Sequence, residues 1–250
     1  MSFRNLSILA LTGAASTVFA GVANAGVIVI PVVPIDSFVD AGDASLQLPI
    51  GTFGSQTFPS DALTPANAIF STRTGTIEIN QNDQGTALNY VVAGGNELLT
   101  VSADSGTGGI VTLDYTLPFD GATADLTVGG NVGDLGLLIP ATDLPFTYDL
   151  TVFDTVTSGT VGGSAPFGIP DFNPPQFDTF GFDDFGGVDF TEVTRAILTI
   201  NAPQNVDLAI DFFGGVIIEE HNPDGVPEPT SLVVLGLGAL GAFAVKRRNA

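Results

Sequence analysis

Between residues 36 and 220 the hydrophobic side chains recur with a period of 2, and no pattern of period 3.6 lasts long enough to indicate a stable helix. The clearest example is segment 146–152, where the side chains alternate as Phe, Thr, Tyr, Asp, Leu, Thr and Val. Segment 206–212 repeats this alternation. Further candidate strands are 76–80, 87–93, 97–103, 109–117, 124–128, 135–139, 195–201 and 215–220. The pattern predicts about ten short β-strands, each with one face for a core.

Turns rich in Gly, Asn and Asp separate these candidate strands, at 82–85, 94–96, 120–121 and 129–131. Short strands with one apolar face are most economically buried when two antiparallel sheets pack face to face. We therefore predict an all-β fold, an antiparallel β-sandwich of the jelly-roll type, with a barrel as the alternative. Segment 161–190 is rich in Pro and Phe, and we expect it to cross between the sheets while its rings close one end of the core. Segment 36–75 reads as loop-rich.

The charge of the chain excludes one class of partner. It carries 27 acidic and 6 basic residues, for a net charge of −21, and only Arg73 and Arg195 are basic between residues 26 and 227. A surface this negative repels phosphate backbones, so we expect no nucleic-acid binding. The chain has no cysteine, which excludes disulfides, thiolate metal sites and cysteine nucleophiles.

The first 25 residues have the pattern of a signal peptide. Arg4 precedes an apolar run over 6–20, and the small residues Ala23 and Ala25 precede Gly26. We predict a signal helix that signal peptidase removes after Ala25, with Ala20 as the alternative position. An uncleaved anchor that continues through 26–35 is disfavoured, since Pro31 and Pro34 would interrupt a helix there.

The last residues form a tail of three parts. Val226, Pro227, Glu228 and Pro229 come first, an apolar run over 232–245 follows, and the cluster Lys246, Arg247 and Arg248 comes last. As a single hydrophobic helix, the apolar run would reach about 21 Å at 1.5 Å per residue, which is short of the roughly 30 Å hydrocarbon core. The basic cluster is expected to act as a membrane stop on the cytoplasmic side, which places the acidic body outside.

This tail resembles the PEP-CTERM sorting signal of Gram-negative bacteria, which has the same three parts in the same order. The resemblance implies recognition of Val226, Pro227, Glu228 and Pro229 by exosortase, a membrane-embedded transpeptidase. It also implies a transient membrane association, removal of the tail, and delivery to the cell surface or extracellular matrix. We divide the chain into a signal peptide at 1–25, an extracellular β-sandwich body at 26–222, and the sorting and anchoring tail at 223–250.

The body from about residue 90 to 213 is similar to the bodies of other exported proteins with this tail. The similarity rests on short segments at 93–95, 98–101, 125–127, 144–147, 187–191 and 206–208. It implies a fold and a destination, and no activity.

Few residues could carry out catalysis. The one histidine, His221, follows the predicted strands, so a serine triad or a multi-histidine metal site has no base or ligands to use. Paired carboxylates remain, as in glycosidases, and Asp183 with Asp184 is the most suggestive pair, although acidic residues are common in turns. We therefore expect a protein that is not an enzyme.

Calcium is the cofactor that best fits an oxygen-rich acidic surface, and we take Asp183, Asp184, Asp207 and Asp211 as candidate ligands. Segment 80–85 resembles the first half of a calcium loop, but Val91 stands where the closing Glu is needed. Tyr90 and Tyr115 are expected to be buried with satisfied hydroxyls and not to form sugar platforms.

The sequence favours a non-enzymatic, exported surface or extracellular-matrix protein sorted by exosortase, and the tail's family implies an association with exopolysaccharide or biofilm. The alternative is a calcium-assisted glycan-binding module. An extracellular hydrolase that uses carboxylates is a third reading.

Overall fold

The computed structural model of this protein describes residues 27–65, 68–93, 98–165 and 176–220. The predicted signal helix and the predicted hydrophobic helix of the tail lie outside these residues. Within them, no helix is long and apolar enough to cross a membrane. The strands are β1 (Val27–Asp36), β2 (Gly42–Gln47), β3 (Gly54–Thr57), β4 (Asp61–Ala62), β5 (Thr72–Asn82), β6 (Ala87–Ala93), β7 (Leu98–Ala103), β8 (Thr107–Thr116), β9 (Asp134–Ile139), β10 (Ala141–Thr142), β11 (Phe146–Phe153), β12 (Ser158–Ala165), β13 (Gln176–Gly181), β14 (Arg195–Ala202), β15 (Asp207–Ile210) and β16 (Phe212–Glu220).

The strands form three antiparallel sheets, so the prediction of an all-β antiparallel fold is confirmed. A four-stranded sheet has the order β1-β16-β9-β13, and a five-stranded sheet has the order β10-β15-β7-β6-β2. A seven-stranded sheet runs β12-β11-β14-β8-β5-β3, with β4 also paired to β5. Eight of the strands can be numbered from 1 to 8 along the chain: β1, β8, β9, β11, β12, β13, β14 and β16. In these numbers the four-stranded sheet has the order 1-8-3-6, and the matching part of the seven-stranded sheet has the order 2-7-4-5. This is the strand order of a jelly roll.

The four-stranded and five-stranded sheets are joined by one bent ribbon. Leu138 of β9 pairs with Phe212 of β16, and Ala141 of β10 pairs with Ala209 of β15, so the register is the same on both sides of Pro140. The Asp211 N–H still donates to the Leu138 carbonyl where the strands are interrupted. The two smaller sheets therefore form a single layer opposite the seven-stranded sheet.

The core lies between these two layers. Along β11 the predicted apolar positions are buried and the polar positions between them are more exposed, which confirms the alternation at 146–152. Tyr115 of β8 packs against Phe213 of β16 with ring centroids 5.8 Å apart, and Tyr148 of β11 meets Phe180 of β13 at 6.3 Å. Aromatic side chains therefore contribute much of the contact between the layers.

The Phe-rich segment 161–190 is only partly a connection. It contains the end of β12, then β13, which was not predicted, and residues 166–175 lie outside the described part. The chain does pass from the seven-stranded to the four-stranded sheet here. Phe185 and Phe190 are buried, and the Phe190 ring stacks on Phe182 with a centroid separation of 3.8 Å. The expectation that these rings close one end of the core is confirmed.

One other expectation was wrong. Segment 124–128 is a turn with one isolated bridge, from Ala124 to Val193, and not a strand. Segment 36–75 is rich in loops, as expected, and these loops connect the short strands β2, β3 and β4 and the start of β5. The prolines at 31 and 34 lie in β1, where the register shifts just after each of them. A proline lacks the N–H for a ladder bond, and an edge strand with bulges is where a sheet tolerates it.

Candidate functional site

A cleft of about 470 Å³ opens on the outer face of the seven-stranded sheet. It lies at the end of the sheet where β11 and β8 begin and where β5, β12 and β14 end. Its lining consists of uncharged residues from five strands and the loops beside them: Asn80, Gln81, Gly109, Pro145, Phe146, Thr147, Ser164, Ala165, Asn201, Ala202 and Pro203. This volume is within the range of small-ligand sites.

A β-bulge places two carboxamides side by side at this cleft. The pairing of β5 with β8 shifts register between Ile79 and Gln81, and both Asn80 and Gln81 are exposed while Ile79 and Asn82 are buried. In a regular strand two consecutive side chains would point to opposite faces. Bulges of this kind re-aim side chains and occur often beside functional sites.

The lining of the cleft includes a glycine, Gly109. A Cβ atom on Gly109 would overlap the backbone carbonyl of Glu78, so this position of β8 accepts no side chain without a backbone shift. On the far wall, the Asn201 Nδ2 donates to the Thr147 Oγ1 at 3.1 Å. The cleft therefore offers amide and hydroxyl groups around a backbone floor, which suits a ligand with many hydroxyls. Among its lining residues there is no ionisable pair for acid–base catalysis.

A short loop beside the cleft presents two exposed hydrophobic side chains. Asn82, which is buried, donates from Nδ2 to the carbonyls of Leu48, Pro49 and Thr52 at 2.9–3.2 Å, and its Oδ1 accepts the Gly85 N–H at 2.9 Å. These bonds hold the loop between β2 and β3 in one conformation.

The loop carries Ile50, 67% exposed, and Phe53, 64% exposed. Phe53 precedes Gly54, which pairs with Ile79 next to the bulge. Segment 80–85 resembles the start of a calcium loop in sequence. In the structure its Asn82 makes four hydrogen bonds that hold the neighbouring backbone. The sequence analysis did not identify Phe53, whose only signal was a lone Phe between two turns.

The cleft lies at the end of the sandwich away from Val27 and Glu220, the first and last described residues. Gln176, where β13 begins, donates from Nε2 to the Ser164 carbonyl at the cleft, whereas Phe185, past the end of β13, packs against Gly159 at the opposite end of β12. Strand β16 runs parallel to β13, because both are antiparallel to β9. Its end, Glu220, pairs with Val27 at the start of β1. The described part of the chain therefore begins and ends far from the cleft.

A second polar cluster is buried between the layers. The Arg73 Nη1 contacts the Asp36 Oδ2 at 2.6 Å, and both side chains are essentially inaccessible to solvent. The Arg73 Nη2 donates to the Asp40 carbonyl at 2.9 Å and lies 3.4 Å from the Asp61 Oδ2. Burial raises the pKa of Asp36 even though Arg73 opposes that shift. This cluster joins β1, β4 and β5, and we interpret it as structural because Arg73 and Asp36 at its centre are inaccessible to solvent.

Tyr90 and Tyr115 are buried, as predicted. Burial raises the pKa of both phenols. The Tyr115 hydroxyl lies beside Asp36 but makes no hydrogen bond of good geometry, so the expectation of a satisfied hydroxyl does not hold for it.

The four aspartates proposed as calcium ligands lie in three places. Asp183 and Asp184 belong to a short 3₁₀ turn at Phe182–Phe185, Asp207 begins β15, and Asp211 separates β15 from β16. Among the described residues, no three His, Cys, Asp or Glu side chains form a group that could hold a metal ion. The structure therefore does not assemble these aspartates into one site, and calcium binding stays a prediction. The pKa of Asp134 is raised by burial and by the nearby carboxylate of Asp184.

Two Asp-x-Thr segments, 125–127 and 189–191, lie in regions that resemble other exported proteins with this tail. Both form turns, and the two turns are joined by a backbone hydrogen bond from Leu126 to Phe190. The Asp125 Oδ1 accepts the N–H and hydroxyl of Thr127 at 2.8 and 2.6 Å, and Asp189 does the same for Thr191 at 2.9 and 2.6 Å. These bonds lower the pKa of Asp125, with the Thr127 hydroxyl as the largest cause. The middle residues, Leu126 and Phe190, are buried. These segments are therefore structural.

The other predicted site residues lie outside the described residues. They are Ala23, Ala25 and Gly26 at the signal-peptide junction, Val226, Pro227, Glu228 and Pro229 of the sorting signal, and Lys246, Arg247 and Arg248 of the membrane stop. His221 also lies outside.

Several solved structures overlap loosely with this chain. A family 11 carbohydrate-binding module from Clostridium thermocellum, in complex with a β-1,3-1,4-mixed-linked tetrasaccharide, is 10% identical with a TM-score of 0.35, covering 76% of this chain and 95% of the module. A family 30 carbohydrate-binding module of a cellulosomal cellulase from the same organism is 15% identical with a TM-score of 0.31, covering 76% and 98%. An exo-β-agarase is 12% identical with a TM-score of 0.35, covering 60% and 23%. These scores are too low to support an inference about function.

The sequence comparison with curated proteins gave no match. A family model does match the tail: residues 225–248 fit the PEP-CTERM protein-sorting motif. This match contains Val226, Pro227, Glu228 and Pro229 and extends through the basic cluster, so this chain carries a PEP-CTERM protein-sorting motif.

Proposed function

We propose that this protein is a non-enzymatic component of the cell surface or extracellular matrix, delivered there through exosortase. The observation that carries the proposal is the sorting motif at 225–248, which begins five residues after the last strand of an all-β body. The motif implies an exported protein that is processed at this tail. Signal peptidase would remove residues 1–25, and the apolar run at 232–245 would hold the body at the membrane until exosortase acts.

Mass spectrometry of the extracellular protein tests this proposal in a host that has exosortase. We expect no peptide from residues 246–250. A Pro227→Ala/Glu228→Gln variant should keep that peptide and stay with the membrane fraction. Pro223→Ala is the matched control, since Pro223 lies in the same region but outside the matched motif. Extracellular protein that ends in Ala250 would contradict processing of the tail.

The absence of catalytic activity is part of this proposal. The cleft is lined by uncharged residues, and the single histidine of the chain is far along the sequence from every residue of the lining. Hydrolysis of a polysaccharide panel by the purified protein, abolished in an Asp184→Asn variant, would contradict it.

A second candidate function is glycan binding, and the cleft is the observation that favours it. Its carboxamides and hydroxyls could exchange hydrogen bonds with sugar hydroxyls. Exopolysaccharide of the same cell is the proposed partner. The calcium-assisted form of this proposal predicts that a chelator lowers both the melting temperature and the retention on exopolysaccharide. If neither changes, calcium has no part in it.

A further inference from the structure

We infer that the cleft and Phe53 together form one groove for a neutral, extended polysaccharide that runs across the strands of the seven-stranded sheet. The inference rests on the second candidate function and specifies its ligand. It is carried by three observations, namely the alignment of the groups, the absence of charge in the lining, and the rigidity with which Asn80, Gln81 and Phe53 are held.

The polar groups form a band that crosses the sheet near its end. Ser164 of β12 pairs with Thr147 of β11, which pairs with Asn201 of β14. From Asn201 the register continues through Ile110 of β8 to Glu78 of β5, and the Asn80 bulge and Phe53, the residue before β3, lie about two residues nearer the end of the sheet. Five steps between neighbouring strands cover about 24 Å at 4.7–4.9 Å each. A linear ligand with a hydroxyl-rich edge can contact every strand, and a compact ligand cannot.

The charge distribution selects a neutral polymer over an anionic one. No described residue of the lining is charged, although the chain carries a net charge of −21. Glu78 lies in the same register as Asn201, and Asp149 lies two residues from Thr147 on β11. An anionic polysaccharide would meet these carboxylates and the negative field of the whole protein.

The groove is preorganised. The bulge fixes Asn80 and Gln81, and the four hydrogen bonds of Asn82 fix the loop that carries Phe53. Rigid groups lose little conformational entropy when a ligand binds. Phe53 is exposed in this fixed loop without a packing reason, and an exposed aromatic ring is suited to lie against the C–H face of a sugar.

The test is affinity electrophoresis of the purified full-length protein in gels that contain one polysaccharide each: neutral β-glucan, neutral galactan and anionic alginate. We expect retardation by at least one neutral polymer and none by alginate. Phe53→Ala should weaken that retardation about three- to tenfold, as expected for loss of one aromatic contact. Asn80→Ala/Gln81→Ala should weaken it about tenfold through lost hydrogen bonds.

Phe119→Ala is the matched control, because Phe119 is 70% exposed but lies in the loop after β8, at the other end of the sheet. It should leave retardation unchanged. The melting temperature of each variant verifies the fold. Binding to alginate, or neutral binding that Phe53→Ala and Phe119→Ala affect equally, would overturn the inference while glycan binding stands. No retardation by any polymer would refute both, and the exosortase proposal would still be judged by its own experiment.

Discussion

Replacement of Arg73 by Met should cost this protein a large part of its stability. Arg73 and Asp36 are both buried, and their contact is 2.6 Å long. Without the guanidinium, Asp36 would be a buried carboxylate with no cation, a change that costs about 3–5 kcal/mol. Domains are stable by only about 5–15 kcal/mol, so the midpoint of a urea titration should fall substantially.

The other interior arginine provides the matched control. Arg195 makes two bonds to Asp114 at 2.7 and 2.6 Å, but its side chain is 43% exposed. An ion pair open to solvent contributes about 1 kcal/mol or less, so Arg195→Met should shift the urea midpoint far less. The two substitutions remove the same side chain and differ mainly in burial.

The loss in Arg73→Met should depend on pH. Burial already raises the pKa of Asp36, and Arg73 is the largest influence that lowers it, so the variant has a still higher Asp36 pKa in the folded state. A carboxyl whose folded pKa exceeds its unfolded value of about 3.9 takes up a proton on folding, so stability falls as pH rises between the two values. The penalty should therefore be full near neutral pH and shrink toward pH 4.

A second substitution tests the cause. Asp36→Asn carries no charge and can still accept the Phe38 N–H bond, which is 2.7 Å long in the native protein. Asp36→Asn/Arg73→Met should therefore recover most of the stability and lose the pH dependence. The reasoning fails if Arg73→Met destabilises no more than Arg195→Met, or by equal amounts at pH 4.5 and 7.5.

Three further predictions concern backbone contacts and turns. Gly159→Ala should destabilise the protein by about 1–3 kcal/mol, since its Cβ would overlap the Phe185 carbonyl, whereas Gly133→Ala, with no neighbour within 4 Å, should be close to neutral in the same urea titration. Asn82→Ala should cost about 1–3 kcal/mol by leaving loop carbonyls unpaired, and limited proteolysis should then cut between residues 48 and 53. Hydrogen bonds from backbone N–H groups, that of Asp189 first, hold the pKa of Asp154 well below its usual range. Their stabilisation should be present above about pH 3.9 and be lost on acidification, so Asp154→Asn should flatten the acid limb of a stability–pH curve.

The fold class could be predicted because every strand with one buried face leaves a period-2 pattern. Strand β11 is the best example, and its sequence alternates from Phe146 to Val152. Strands β12 and β13 could not be found in this way. Strand β12 is mostly Gly, Ser and Thr at an open edge of the sheet, and all six residues of β13 are partly exposed, so neither has a distinct apolar face. Prolines hid β1, because their tolerance there depends on an edge position that only the tertiary structure defines.

The sorting tail could be predicted because all of its groups are consecutive in sequence. The cleft could not, because its walls come from five strands and its arrangement depends on one bulge. Asn80 and Gln81 read as an ordinary turn signal, and the sequence contains no mark of a register shift. Of the aspartates suggested as ligands, Asp183 and Asp184 lie in a short 3₁₀ turn, Asp207 begins β15 and Asp211 follows it. The sequence does not show that the fold keeps these positions apart.

The pairing of Val27 with Glu220 determines how this body would carry mechanical load. The tail continues from the end of β16, and the cleft lies at the opposite end of the sandwich. Tension between a ligand in the cleft and a membrane-held tail would act along β16, which is bonded to β1 on one side and to β9 on the other. Hydrogen bonds perpendicular to a pull share it in parallel and yield together, whereas bonds at a peeled end break one at a time. Such a load would be resisted by the whole length of the pairing between β16 and β1.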